Sequence, residues 1–190
     1  LFFMRSKTLW KDVVYEDNIR GINLLDIENF AHKWREKSPG KVVSNRGGWQ
    51  SENYINMATR FAELEANYVQ KCDELDKLIA CINKKFRWHR VSIDELWFNI
   101  NQVNSYNVIH DHLGAKYSGV IYLNSTEQMG NIVFVKNTNL NHMSSHEIDM
   151  YTSEYPSVTG KMYIFSGSVP HYVKINSTLN DRISLSFNLN

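Results

Sequence analysis

After Arg87 the hydrophobic period of this chain changes and does not change back. Val91, Ile93, Leu96-Trp97-Phe98, Ile100 and Val103 lead into Tyr106 to His112, then Gly119-Val120-Ile121-Tyr122-Leu123 and Ile132-Val133-Phe134-Val135. Met162-Tyr163-Ile164-Phe165, His171-Tyr172-Val173 and Ile183-Ser184-Leu185-Ser186-Phe187 complete the series. Short runs rich in β-branched and aromatic residues, with no helical pattern between them, predict antiparallel strands. The second half is therefore expected to be all-β, a barrel or jelly roll, with helices packed outside it.

Those helices belong to the first half. Residues 6 to 20 predict one or two short strands at most. Asp26 can cap a helix of about three turns in which Phe30 and Trp34 share a face, and Ser38-Pro39-Gly40 ends it. The paired glycines of Val42 to Gln50 read as a loop. From Ser51, a second candidate N-cap, apolar residues from Ile55 to Ile82 recur at spacings of three, four or seven. They predict one long amphipathic helix, or two, reaching about Lys84. No linker or repeat divides the halves, so we expect a single domain over 1–190. Residues 1–88 form a helical buttress in it and residues 89–190 the β core.

The 21 Lys and Arg against 20 Asp and Glu give a formal charge of +1, which provides no long-range attraction for nucleic acid or an anionic membrane. Neither is expected as a partner. Cys72 and Cys81 lie nine residues apart in the helical pattern, roughly 13 Å along an axis rising 1.5 Å per residue, too far to bridge. A reducing, cytoplasmic setting follows. No apolar run approaches ~20 residues, and the apolar start is too short for a secretion signal. The triplets Asn124-Ser125-Thr126 and Asn176-Ser177-Thr178 fit a glycosylation pattern, but such triplets are common by chance.

The chemistry is concentrated in a few positions. His110 and His112 are two residues apart, and in a strand such residues point to one face, so two imidazoles could converge on one ion. A distant third ligand would complete a facial set with open positions for substrate and oxygen. Two surface histidines near a turn is the ordinary alternative. His171 stands alone before a later strand. Arg182, Ser184 and Ser186 alternate with Ile183, Leu185 and Phe187, which puts a cation and two hydroxyls on one face and an apolar row on the other. Inside a barrel the cation needs an anion, and a dicarboxylate would satisfy it through a bidentate, charge-assisted contact. A surface-facing arginine on an edge strand is the other reading.

Together these segments resemble the 2-oxoglutarate and Fe(II)-dependent oxygenase superfamily, and within it a small, prolyl-hydroxylase-like branch found in marine bacteria and phages. The resemblance is carried by Gly47-Gly48-Trp49-Gln50-Ser51, Trp97-Phe98-Asn99-Ile100-Asn101, His110-Asp111-His112, Ser118 to Leu123, Gly130 to Phe134, and His171 with Arg182-Ile183-Ser184. It implies a double-stranded β-helix, or cupin-like jelly roll, and a soluble enzyme of the cytoplasm, of a host cell if the chain is phage-encoded. It implies Fe(II), 2-oxoglutarate and O2 as cofactors. His110 would be the first iron ligand and His171 the distal one, with Arg182 gripping the C5 carboxylate of 2-oxoglutarate beside Ser184. Tyr122 would reach the same carboxylate, and Asn99 or Asn101 would line the pocket. The reaction implied is oxidative decarboxylation to succinate and CO2 coupled to oxidation of a C–H bond in an amino-acid side chain or small metabolite.

One departure bears on the metal. The superfamily reads His-x-Asp or His-x-Glu where this chain has His110-Asp111-His112. Strand alternation favours His112 as the ligand and gives a three-histidine site. The need for a carboxylate favours Asp111. Shifting the motif to His112-Leu113-Gly114 would leave room for a halide, as in related halogenases, but its place relative to the following strand opposes that. His142 and His146 fall in a polar loop, and Thr138 to Pro156 could form the substrate mouth. Two rival classes remain: a cupin-like three-histidine metalloenzyme without 2-oxoglutarate, which Arg182-Ile183-Ser184 opposes, and a non-catalytic jelly-roll binding module. The scatter of Trp49, Trp88 and Trp97 does not favour the module.

Overall fold

In the computed structural model, residues 12–55, 72–137 and 150–190 are described. Strand β1 (Tyr15–Asn18) precedes helix α1 (Leu24–Lys37), the short strands β2 (Asn45–Arg46) and β3 (Trp49–Gln50), and helix α2 (Asp73–Phe86). The remaining strands are β4 (Ile93–Asn101), β5 (Tyr106–His110), β6 (Tyr117–Asn124), β7 (Ile132–Asn137), β8 (Met150–Tyr155), β9 (Lys161–Ser166), β10 (His171–Val173) and β11 (Arg182–Leu189). They form a major sheet in the order β1-β9-β6-β11-β4-β3 and a minor sheet in the order β2-β5-β10-β7-β8. The chain crosses between sheets from β4 through β5 and β6 to β7, and again from β8 through β9 and β10 to β11. Two interleaved antiparallel courses of this kind make the double-stranded β-helix, as expected.

The alternation in β11 decides what each side of the major sheet does. Ile183, Leu185 and Phe187, all 0% exposed, belong to a core that includes Phe30 and Trp34 of α1 and Leu75, Leu78 and Ile82 of α2. Phe30, Trp34, Trp49, Tyr54 and Phe98 meet there in mostly edge-on contacts at 5.8–6.4 Å between ring centroids, a geometry that favours such pairs by about 1 kcal/mol beyond area burial. A smaller cluster, Val120, Tyr122, Ile132, Phe134, Tyr163 and Phe165, lies between the two sheets. The other face of β11 is left for polar groups.

Several local expectations need correction. Helix α1 starts two residues before Asp26, whose carboxylate instead accepts a hydrogen bond from Asn23 Nδ2. The Val42–Gln50 loop contains β2 and β3, which pair with β5 and β4 in different sheets and are joined by a turn with Gly47 at φ +75°, a conformation glycine adopts freely. Ser51 does not cap a helix. Its hydroxyl donates to Glu52 O and accepts the Phe98 N–H, latching this segment to β4. Of the long helix expected from Ser51, residues 56–71 lie outside the described residues, and α2 begins at Asp73. Cys72 and Cys81 are both free thiols. Strand β8 occupies the end of the segment read as the Thr138–Pro156 loop, and residues 138–149, with His142 and His146, lie outside the described residues. No helix among the described residues is long and apolar enough to cross a membrane.

Candidate active site

His110 ends β5, and His171 opens β10 directly opposite it in the register. His112 reaches them by a different route from the one the spacing suggested. The strand stops at His110, and the chain turns through Asp111 so that the His112 N–H is received by Gly167 O at 2.8 Å. Gly167 is needed for this approach, since a Cβ there would lie 2.3 Å from Ala115 O and 2.8 Å from His112 O. The ligating atoms of His110, His112 and His171 all lie within 4.8 Å of one another. Asp111, the rival candidate, is exposed, is outside this cluster, and accepts the Leu113 N–H.

The surroundings prepare the three imidazoles as neutral bases. Nδ1 of His110 lies 2.7 Å from Val108 O and Nδ1 of His171 lies 3.0 Å from Val169 O. Each Nδ1 therefore carries the proton and donates it to a carbonyl, which leaves the Nε2 lone pair free for a cation. Phe134 and Phe165 pack around the His171 ring. Burial pushes His171 down to about 3 and His112 down to about 4, with neighbouring His110 adding to both, and it also lowers His110. All three are neutral near pH 7, the form a divalent ion requires.

Across the sandwich, β11 brings Arg182 and Ser184 to the same cavity, with Asn99 from β4 and Tyr122 from β6. Ser184 stands in register between Asn99 and Tyr122. Arg182 is 1% exposed, so it is an interior cation and not the edge-strand arginine of the alternative reading. Its Nη1 donates to Met129 O (2.5 Å), Gly130 O (2.9 Å) and Lys174 O (3.1 Å). Burial lowers it to about 10, well above neutrality, so the charge persists. Among the described residues its Nη2 has no partner, and neither do the Tyr122 hydroxyl and Asn99 Oδ1, although all three atoms are buried. A buried cation with an idle donor beside an idle hydroxyl is costly unless an anion completes it. The described residues thus fit a divalent metal on the minor sheet and a carboxylate on the major sheet.

Some of this site was not singled out in the sequence. The carbonyls holding Arg182 come from the turn after β6 and from the exit of β10, and no side-chain pattern announces them. Ser118, Trp97 and Asn107 line the cavity as well. Continuing the β11 alternation two residues past Ser186 would have flagged Asn188, which is 6% exposed.

A metal-capable imidazole triad inside a double-stranded β-helix, facing an interior cation, defines the metal-dependent oxygenase class of this fold. Residues 95–188 match the family described as "Putative 2OG-Fe(II) oxygenase". The chain belongs to the 2OG-Fe(II) oxygenase family and is an enzyme of that kind, whose cofactors are Fe(II) and 2-oxoglutarate. Among solved structures it is similar to the non-heme alpha-ketoglutarate-dependent carbocyclase SnoK from nogalamycin biosynthesis (TM-score 0.66, 10% identity, covering 93% of this chain and 78% of that one). A Pseudomonas putida prolyl-4-hydroxylase is similar too (0.57, 15%, 92% and 91%). So is HygX from Streptomyces hygroscopicus with nickel and 2-oxoglutarate bound (0.59, 11%, 93% and 82%). No curated protein matches the chain.

Proposed function

We propose that this chain acts as one dioxygenase domain that holds Fe(II) through Nε2 of His110, His112 and His171 and hydroxylates an amino-acid side chain or small metabolite, using O2 and releasing succinate and CO2. The observation that carries the cosubstrate half is the pair of idle buried groups, Arg182 Nη2 and the Tyr122 hydroxyl. A terminal carboxylate of 2-oxoglutarate satisfies both, with Ser184 and Asn99 bordering it. Three neutral imidazoles supply no negative charge, so the dianionic cosubstrate and Arg182 set the electrostatic balance of the site.

Bound iron and 2-oxoglutarate supply the oxidising chemistry, which the protein does not perform itself. The protein's part is positional. The Val108 and Val169 carbonyls fix the orientation of His110 and His171, the Met129, Gly130 and Lys174 carbonyls hold Arg182 still, and Phe134 and Phe165 keep water from the His171 side. The unpaired Cys72 and Cys81 support a reducing, cytoplasmic setting.

The test is anaerobic titration of Fe(II)-loaded protein with 2-oxoglutarate, followed by the visible charge-transfer band that chelation produces. The band is expected to form, to be lost in His171→Ala and His112→Ala, and to survive in Asp111→Ala. Iron-containing protein that forms no band refutes the assignment, and a band lost only in Asp111→Ala refutes the three-histidine set.

A further inference from the structure

Beside the metal cluster, on the outer side of His110 and His112, the cavity opens into a recess of about 360 Å³ whose wall includes Gln50, Asn53, Glu95, Trp97, Asp111 and Asn188. That volume is in the range of small-molecule sites. It adjoins a second recess shared by Asp94, Glu95, Asp111 and Asn188. We propose that this mouth receives a prime substrate bearing a protonated amine, held by Glu95, Asp111 and Asn188 against the face of Trp97. The proposal rests on the dioxygenase reading above.

Four observations point the same way. First, Asp94, Glu95 and Asp111 border the mouth, and none is in an ion pair among the described residues. Among the described residues Lys41 is the one lysine or arginine in these walls; it borders the inner recess alone, its backbone paired with Gln50. Second, Asn188 is 6% exposed, and its Nδ2 is committed to Glu95 Oε2 at 2.5 Å, while its Oδ1 has no donor among the described residues. An idle, buried acceptor on a residue of this wall calls for a donor, as the idle donor of Arg182 calls for an acceptor inside.

Third, Asn53 is fixed as part of the scaffold, its Oδ1 accepting the N–H groups of Ile55 and Leu96, which leaves the carboxylates as the charged acceptors of the wall. Fourth, the Trp97 ring stands 5.6 Å from the His112 ring and borders both the metal cavity and the recess. An indole beside the metal cluster can meet a cation through its π-system. A substrate held by its ammonium at Glu95 and Asp111 would place its neighbouring carbons beside His112.

An ammonium could come from a free amine or from a lysine side chain in a peptide, and matched probes separate the two. Full-length protein loaded with Fe(II) and 2-oxoglutarate would be titrated without oxygen by calorimetry. One set is glucosamine, N-acetylglucosamine and glucuronate; the other is Gly-Lys-Gly, Gly-norleucine-Gly and Gly-Glu-Gly. At least one amine should bind about tenfold more tightly than its neutral partner, more weakly as salt rises. Glu95→Gln should bring that ratio close to one. The set that responds identifies the source of the amine. Neutral or anionic members binding as well as the amines, no binding by either amine, or an unchanged preference in Glu95→Gln overturns the proposal. The charge-transfer band, recorded in the same samples, reports separately on the iron and 2-oxoglutarate assignment, so the two failures are distinguishable.

Discussion

Gly130 and Gly160 both have a positive φ, +92° and +85°, yet their surroundings differ completely. A Cβ built on Gly160 meets nothing within 4 Å, whereas one on Gly130 would lie 2.2 Å from Lys174 O and 2.7 Å from Arg182 Nη1. The substitution Gly130→Ala therefore carries two costs. The backbone conformation costs an alanine about 1–2 kcal/mol at either position. At Gly130 the turn must also shift away from Lys174, disrupting one or two of the charge-assisted bonds that hold Arg182, each contributing about 1.5–3 kcal/mol. A total of about 4 kcal/mol against ~1.5 kcal/mol is expected, and for a chain of this size each kcal/mol lowers Tm by about 2–4 °C. Thermal unfolding should show Gly130→Ala reduced by about 8–16 °C and Gly160→Ala by about 3–6 °C. With the guanidinium displaced, 2-oxoglutarate affinity measured by calorimetry should fall about 10- to 150-fold in Gly130→Ala and stay within about twofold in Gly160→Ala. Equal effects at the two glycines would refute the claim that the turn exists to hold Arg182.

Two more outcomes follow from the same site. Arg182→Lys keeps a charge but loses the fork that bonds three carbonyls while presenting a free Nη2, so 2-oxoglutarate should bind at least about tenfold more weakly; wild-type affinity by calorimetry would argue that Arg182 is not the anchor. In metal-free protein, the folded pKa of His171 near 3 lies below its unfolded value of about 6.5, so the unfolded chain binds the extra proton. Stability is then full above about pH 6.5 and declines as pH falls, by about 1.4 kcal/mol from this group at about pH 5.5, with His112 acting in the same sense. Urea unfolding at about pH 7 and about pH 5.5 should show this slope flattened in His171→Leu, and an unchanged slope would remove His171 from the account.

What the sequence made legible was whatever lay in side-chain alternation. Ile183, Leu185 and Phe187 against Arg182, Ser184 and Ser186 separated the helix-facing side of β11 from the cavity side, and the structure divides them in the same way. Alternation misled at His112, where the expected strand ends two residues early and a turn makes the approach to His110. It was silent on β8, whose Tyr151-Thr152-Ser153-Glu154 pairs along β7 with little hydrophobic signal, and on β2 and β3, too short to show any period. The grip on Arg182 was invisible for a different reason: it is made of backbone carbonyls brought together by sheet switching, and a backbone atom has no letter of its own in a sequence.

The imidazoles and the guanidinium stand on opposite sheets of one sandwich. Any molecule that touches both must bridge the gap between two stacked β-layers, a spacing of about 10 Å set by the packing of Tyr122, Phe134, Tyr163 and Phe165. The sandwich thereby works as a caliper. With Arg182 and the imidazoles holding the two ends of 2-oxoglutarate as proposed, a diacid one carbon shorter would leave its far carboxylate short of Arg182, and one carbon longer would have to buckle. On those roles the length of the acid would be gauged by the thickness of the hydrophobic filling, so a change of one methylene at Phe134 or Tyr163 would alter which acid fits without touching a residue proposed to contact it.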